Sequence, residues 1–183
     1  MNDKIYTKAG DDGWTRSLGD QAVRKSDALM EAMGTLDELN SHVGSCLSAV
    51  GHHDSIDQTL RAVQTDLLAI GSMLAAGGGV TIRAVRIEVE SVDRLEAAID
   101  AASQRVAPLT QFVTPGGVEL ASRLHITRTV CRRSERRIVA AGDGGGDVPP
   151  VVLQYVNRLG DLLFALARLA NESAGTAERR WER

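Results

Sequence analysis

The chain has 183 residues, 43% of them hydrophobic and 25% charged, with a formal net charge of -3. That length suits one domain with a full core, and the weak acidity argues against a general nucleic-acid binder. Two cysteines, Cys46 and Cys131, are too few and too far apart for a disulfide framework or a zinc site.

Aromatics make up only 3% of the chain, so the core falls to Leu, Val, Ile and Ala, which favours helices over a β-sandwich. The start, MNDKIYTK, has no apolar signal core, and no apolar run approaches the ~20 residues of a membrane span. The sequence reads as one cytoplasmic domain over 1–183.

The first 26 residues lack helical periodicity and are rich in Gly, Asp, Lys and Thr. Helical spacing then begins. Leu29, Met33, Leu36, Leu39, Val43, Cys46 and Val50 step by threes and fours. Ile56, Leu60, Val63, Leu67, Ile70 and Leu74 alternate strictly by four and three. Val85, Val89, Val92, Leu95, Ile99, Ala102 and Val106 repeat the pattern. Leu120, Leu124, Thr127, Cys131, Ser134 and Ile138 do so more weakly. A last helix, from about Val151 to Ser173, is apolar on most sides and is expected to be the most buried. One apolar stripe per helix is the pattern of a bundle. The breaks are GHHDS, AAGGGVT, PLTQFVTPGG and AGDGGGDVPP, and Pro149 and Pro150 suit a helix start. The expected fold is all-α: a five-helix up-and-down bundle behind an irregular, Gly-rich N-terminal segment.

TRTVCRRSERR, Thr127 to Arg137, crowds five arginines against one acid, Glu135, in an acidic chain. At 100° per residue, Arg128, Arg132 and Arg136 share one flank of the apolar stripe, and Arg133 and Arg137 the other. Like charges four residues apart repel by a few tenths of a kcal/mol per pair, the wrong sign for stability alone. An anionic ligand reverses that sign, because each charge-assisted hydrogen bond contributes roughly 1.5–3 kcal/mol. The row reads as a polyphosphate clamp. The alternative is a solvated face salt-bridged to neighbouring helices. YTKAGDDGWTRS, Tyr6 to Ser17, adds Lys8, Gly10, Gly13, Thr15, Arg16 and Ser17, a set able to turn backbone amides toward an anion. A flexible tail is the alternative there. In the last helix Asn157, Arg158, Asp161 and Arg168 interrupt an apolar stretch. Asn157 suits a ligand; Asp161 and Arg168 suit an internal polar network. His42, His52, His53 and His125 have no matched carboxylates or cysteines, so no protein metal site is expected.

IYTKAGDDGWT, EAMGTLDELNSHVG, TPGGVELASRLHITRTVCRRSERR and VNRLGDLLFALARLAN occur in that order along the chain. Together they resemble the PduO-type ATP:cob(I)alamin adenosyltransferases, over nearly its whole length. The resemblance implies a homotrimer with active sites between subunits. It implies transfer of the 5′-deoxyadenosyl group of ATP to the cobalt of cob(I)alamin, with triphosphate released. Position by position, Thr7, Lys8, Ala9 and Gly10 would wrap the nucleotide, and Thr15, Arg16 and Lys25 would reach the phosphates. Arg132, Arg133, Ser134, Glu135, Arg136 and Asn157 would complete the ATP site. Arg128 matches an arginine that pairs with an aspartate, here Asp37, across the interface, and these two with Arg132 are the catalytic candidates. Phe112 matches an aromatic that packs near the corrin and helps displace the lower axial ligand. Mg2+ would accompany ATP, bound mainly through phosphates. A flavoprotein reductase and an adenosylcobalamin-dependent mutase are the implied partners; nucleic acid and membrane are not.

The sequence departs from the family pattern at Ala9, where a polar residue is frequent, and at Gly160, where Ser is usual and whose loss would loosen the last helix. The tail AGTAERRWER is short for a segment that can help close the corrin site. Two rival functions share these residues. One is a carrier that delivers adenosylcobalamin to a mutase. The other, less favoured, is an anion- or nucleic-acid-binding helical scaffold.

Overall fold

The computed structural model describes residues 4–18, 20–76 and 86–181. Val85 of the third apolar stripe and most of the AAGGGVT break lie outside the described residues. Five helices form a bundle: α1 (Ala28–Leu47), α2 (Asp54–Ala76), α3 (Val89–Ser103), α4 (Glu119–Asp143) and α5 (Pro150–Ser173). Two short strands precede them, β1 (Trp14–Arg16) and β2 (Ala22–Arg24). The N-terminal segment is therefore not wholly irregular. Trp14 faces Arg24 across this antiparallel pair, and the Arg24 guanidinium lies 4.3 Å from the Trp14 ring centre. Three residues per strand are too few for alternation to show in the sequence.

The apolar stripes become the core. All six residues of the second stripe are at most 2% exposed. In the first, Leu36, Leu39, Val43 and Cys46 are buried, and Asp27 caps α1 by accepting from the Leu29 amide at 2.9 Å. The third stripe departs at Val89, the first residue of α3, which is 61% exposed. α5 is buried on most sides and runs unbroken through Gly160, whose bare Cα faces the aliphatic stem of Arg132. The loosening expected from Gly160 does not interrupt the helix, because its neighbours bury it.

α4 packs most extensively against α5 and α1, and α3 packs on α5. α4 sits between two helices while carrying six arginines because its inner face is small. Thr127, Cys131 and Ser134 are fully buried. Their polar atoms find partners across the seams: Ser134 Oγ donates to Thr35 O (3.0 Å), Cys131 Sγ to Val156 O (3.3 Å), and Thr127 Oγ1 lies 3.2 Å from Cys46 Sγ. Burial pushes the Cys131 thiol up to about 12, so it stays neutral and inert.

The loop between α3 and α4 ends on a backbone that only glycine fits. Gly117 has φ +110°, and a Cβ there would lie 2.0 Å from Asn171 Oδ1. Asn171 accepts from the Val118 amide and donates to Gly116 O, both at 3.0 Å. Gly117→Ala is expected to destabilise the fold by about 1–3 kcal/mol, through backbone strain and disruption of this clasp. Urea unfolding checks it; an unchanged midpoint contradicts it.

Candidate functional site

The two flanks of α4 have different partners. On the α1 side Arg133 pairs with Glu38, and Arg137 Nε lies 3.4 Å from Glu31 Oε1. For these two the salt-bridged face is what the chain adopts. On the α5 side Arg132 and Arg136 are exposed and make no ion pair with any described residue; Arg136 Nη1 donates to Arg132 O at 2.9 Å. Beside them Asn157 Nδ2 donates to Glu135 Oε1 at 2.9 Å, joining α5 to α4. Two adjacent guanidinium groups without carboxylates are open to an anion. Ser134, by contrast, is fully buried and committed to Thr35 O.

Arg128 is half-buried, and its Nε is buried without a hydrogen-bond partner. Its guanidinium lies 5.8 Å from the Phe164 ring centre, and His125 packs on the same ring at 6.0 Å. His125 Nδ1 is also buried without a partner. Burial, and then the positive charge of Arg128, hold the His125 imidazole below its usual range, while Glu178 opposes them. Asp37 lies on the exposed side of α1, beside a groove shared with Leu18, Met33, Leu67 and Leu68. Within one chain, Asp37 and Arg128 do not meet.

The N-terminal candidates do come together. Thr7, Ala9, Gly10, Thr15, Arg16 and Lys25 line one open depression. Lys8 takes a left-handed backbone, φ 63°, unusual for a side chain of that size. Lys25 Nζ donates to Gly10 O at 2.7 Å and Arg16 Nη1 to Asp20 Oδ1 at 2.9 Å, so each already has a partner. Among the described residues no hydrogen bond or ion pair links this segment to α4.

Phe112 is 78% exposed on the loop between α3 and α4. The C-terminal tail reaches it: Thr114 N donates to Arg179 O and Trp181 N to Phe112 O, both at 2.8 Å. The Trp181 and Phe112 rings meet edge to face, 6.5 Å apart at 71°. The segment after α5 thus pairs with this loop while leaving the Phe112 ring largely exposed. Sequence reasoning missed Trp181 because a lone aromatic near a terminus has no period to mark it.

The other polar residues of α5 divide. Arg168 is 9% exposed and internally paired, as expected. Asp161 is exposed and lies 3.6 Å from Arg158 of its own helix, so it joins no internal network. The buried carboxylate is Asp66, which accepts from the Tyr155 hydroxyl at 2.8 Å and faces Arg94 at 3.3 Å. Burial, with Asp66 alongside, raises the Tyr155 phenol far above its usual range.

A family model described as cobalamin adenosyltransferase matches residues 5–170. The corrinoid adenosyltransferase PduO of Salmonella typhimurium is 42% identical over 94% of this chain, which spans 51% of that longer relative. The corrinoid adenosyltransferase of Bacillus subtilis is 39% identical over 98% of this chain and 93% of its own length. Among solved structures, a Phe-to-Ala variant of the PduO-type ATP:corrinoid adenosyltransferase from Lactobacillus reuteri, complexed with cobalamin and ATP, superposes with a TM-score of 0.91. It is 37% identical, and the match covers 98% of this chain and 100% of that one.

Proposed function

The chain belongs to the cobalamin adenosyltransferase family, and we propose that it transfers the 5′-deoxyadenosyl group of ATP to the cobalt of cob(I)alamin or a related corrinoid. Arg132 and Arg136, two adjacent arginines beside Asn157 with no carboxylate partner among the described residues, support this reading most directly.

The arginines answer the chemistry. Co(I) attacks the 5′ carbon of ATP with its electron pair; the new Co–C bond forms as the C5′–O bond breaks. Triphosphate leaves with the bonding electrons and several negative charges. Prepositioned guanidinium groups stabilise charge that grows in the transition state, so they act on rate as well as affinity. Arg132 and Arg136 take that role. Arg133 and Ser134, already held by Glu38 and Thr35, shape the helix that presents them. Mg2+ would be held mainly by the phosphates rather than by the protein. No side-chain nucleophile is needed, because cobalt is the nucleophile.

The N-terminal segment supplies the nucleotide contacts, from the depression's Thr7, Ala9, Gly10, Thr15, Arg16 and Lys25 and from Lys8 beside it. Because no hydrogen bond or ion pair among the described residues ties it to α4 within one chain, the reading includes a homotrimer that joins the two halves across an interface. The unpartnered Arg128 Nε supports the same arrangement, with Asp37 of a second copy as its partner. Asp37→Ala is therefore expected to weaken assembly by about 2–5 kcal/mol, the cost of leaving a buried charge unpaired. Sedimentation across a dilution series checks it; unchanged assembly and activity sink the pairing. A cytoplasmic setting, a flavoprotein reductant and a mutase that consumes the product complete the reading.

The test is an anaerobic assay with chemically reduced cobalamin and MgATP, following loss of Co(I) and identifying both products. Adenosylcobalamin with triphosphate supports the proposal. ATP binding without product points to a carrier role instead.

A further inference from the structure

A buried guanidinium is tolerable only when acceptors surround it. Arg168 has them on two different segments. Its Nε donates to Glu178 Oε1 at 2.9 Å and Oε2 at 3.1 Å. Its Nη2 donates to Glu178 Oε2 at 3.0 Å and to Ala107 O at 2.8 Å. Ala107 opens the loop that carries Phe112; Glu178 lies in the tail that carries Trp181. One side chain of α5 thus ties the start of the loop to the tail.

The tail then pairs antiparallel with the stretch around Phe112, with Val113 opposite Arg180 and hydrogen bonds from the Thr114 and Trp181 amides. So short a pairing is marginal by itself. A slip of one residue turns every side chain to the other face and takes Trp181 off Phe112. Asn171, one turn further along α5, fixes the far end of the loop but touches no tail residue among its side-chain hydrogen bonds. Arg168, through Glu178, fixes the tail one residue before Arg179 meets Thr114, and so bears on the register between tail and loop. Phe112 itself is exposed, with Trp181 against one side of its ring.

We propose that Arg168 is a positioning residue for Phe112: through Glu178 it locks the register of the C-terminal tail against the Phe112 loop. This rests on the reading of Phe112 as the corrinoid-facing wall and names what holds that wall in place. Arg168 and Glu178 touch neither ATP nor cobalt in this scheme. Their loss leaves attack by preformed Co(I) intact but disturbs the apolar face that keeps an axial ligand off Co(II).

The test compares wild type, Glu178→Ala, Arg168→Lys and Phe112→Ala as full chains, with thermal melts to confirm folding. Each is assayed from chemically prereduced Co(I) and from Co(II) with a reductant. Electron paramagnetic resonance of Co(II)cobalamin with MgATP reports the axial ligand. Glu178→Ala is expected to slow the Co(II) route about tenfold, as a small misplacement does, and to leave the Co(I) route within about twofold. Its Co(II) spectrum shifts toward the axially ligated form, and Arg168→Lys falls between it and wild type. If Arg168→Lys does not fold, Glu178→Ala decides alone, since Glu178 lies on the tail. Equal change on both routes, or no change on either, with a wild-type Co(II) spectrum, overturns the proposal. Two other failures are read separately and take it down with them. A wild type inactive with Co(I) removes the proposed function. A Phe112→Ala that shows no split between routes removes the wall.

Discussion

Arg132→Ala is expected to lose at least about a hundredfold in kcat/KM while melting at the wild-type temperature. The two halves of that expectation have separate physical grounds. Arg132 is exposed and makes no ion pair with any described residue, so the folded state loses little when its guanidinium goes. Its stem does pack beside Gly160, but alanine leaves that surface open to solvent rather than creating a sealed cavity. Triphosphate, by contrast, loses a bidentate donor at the moment its charge grows. Arg133→Ala supplies the contrast. Arg133 is engaged with Glu38, so its removal should cost some stability and less turnover. Measured together, kcat/KM and Tm for the two variants separate a clamp from a basic surface. Arg132→Ala with wild-type turnover and wild-type ATP affinity would remove the clamp assignment.

That contrast was only half legible in the sequence. Helical spacing placed Arg132 and Arg136 on one flank and Arg133 and Arg137 on the other, as the structure has them. Spacing says nothing about which flank meets acids. Glu31 and Glu38 lie about a hundred residues away in the chain, and only the packing of α1 on α4 brings them to the second flank. The weak stripe of α4 has a similar explanation. Thr127 and Ser134 score poorly as apolar residues, yet they are buried because small side chains with satisfied polar atoms let helices approach closely.

Polar residues within apolar helices were harder to place. Arg168 and Asp161 look alike in the sequence, each a charge in the last helix. Arg168 turns inward and finds Glu178; Asp161 stays in solvent beside Arg158. Asp66 was invisible as a buried carboxylate, since its partners Tyr155 and Arg94 come from two other helices. Periodicity located the core helices well because burial repeats every turn. Long-range pairs do not repeat, and neither does the three-residue hairpin. Contacts between copies lie further still from a single chain's pattern, which is why Asp37 and Arg128 join only through the family resemblance.

Phe112→Ala carries the second large effect, and its direction depends on the starting state of the cobalt. Phe112 is 78% exposed in a single chain, an apolar ring whose burial elsewhere would be worth roughly 1.5–3 kcal/mol. Its backbone is pinned by the tail and its ring rests on Trp181, so exposure here is held rather than loose. A ring fixed in that way can exclude water and a lower base from one face of a corrin. Removing the axial ligand makes Co(II) easier to reduce, so the ring matters before the nucleophile exists. On the proposed reading, attack on ATP once Co(I) has formed depends on the arginines instead. Phe112→Ala should therefore slow the reaction from Co(II) about a hundredfold and that from prereduced Co(I) far less, since the misplaced group acts on only one step. Parallel rate measurements from the two starting states decide it. Equal losses from both would move Phe112 from ligand exclusion to general substrate binding, because an effect shared by the two routes acts on the corrin as a whole rather than on its axial ligand.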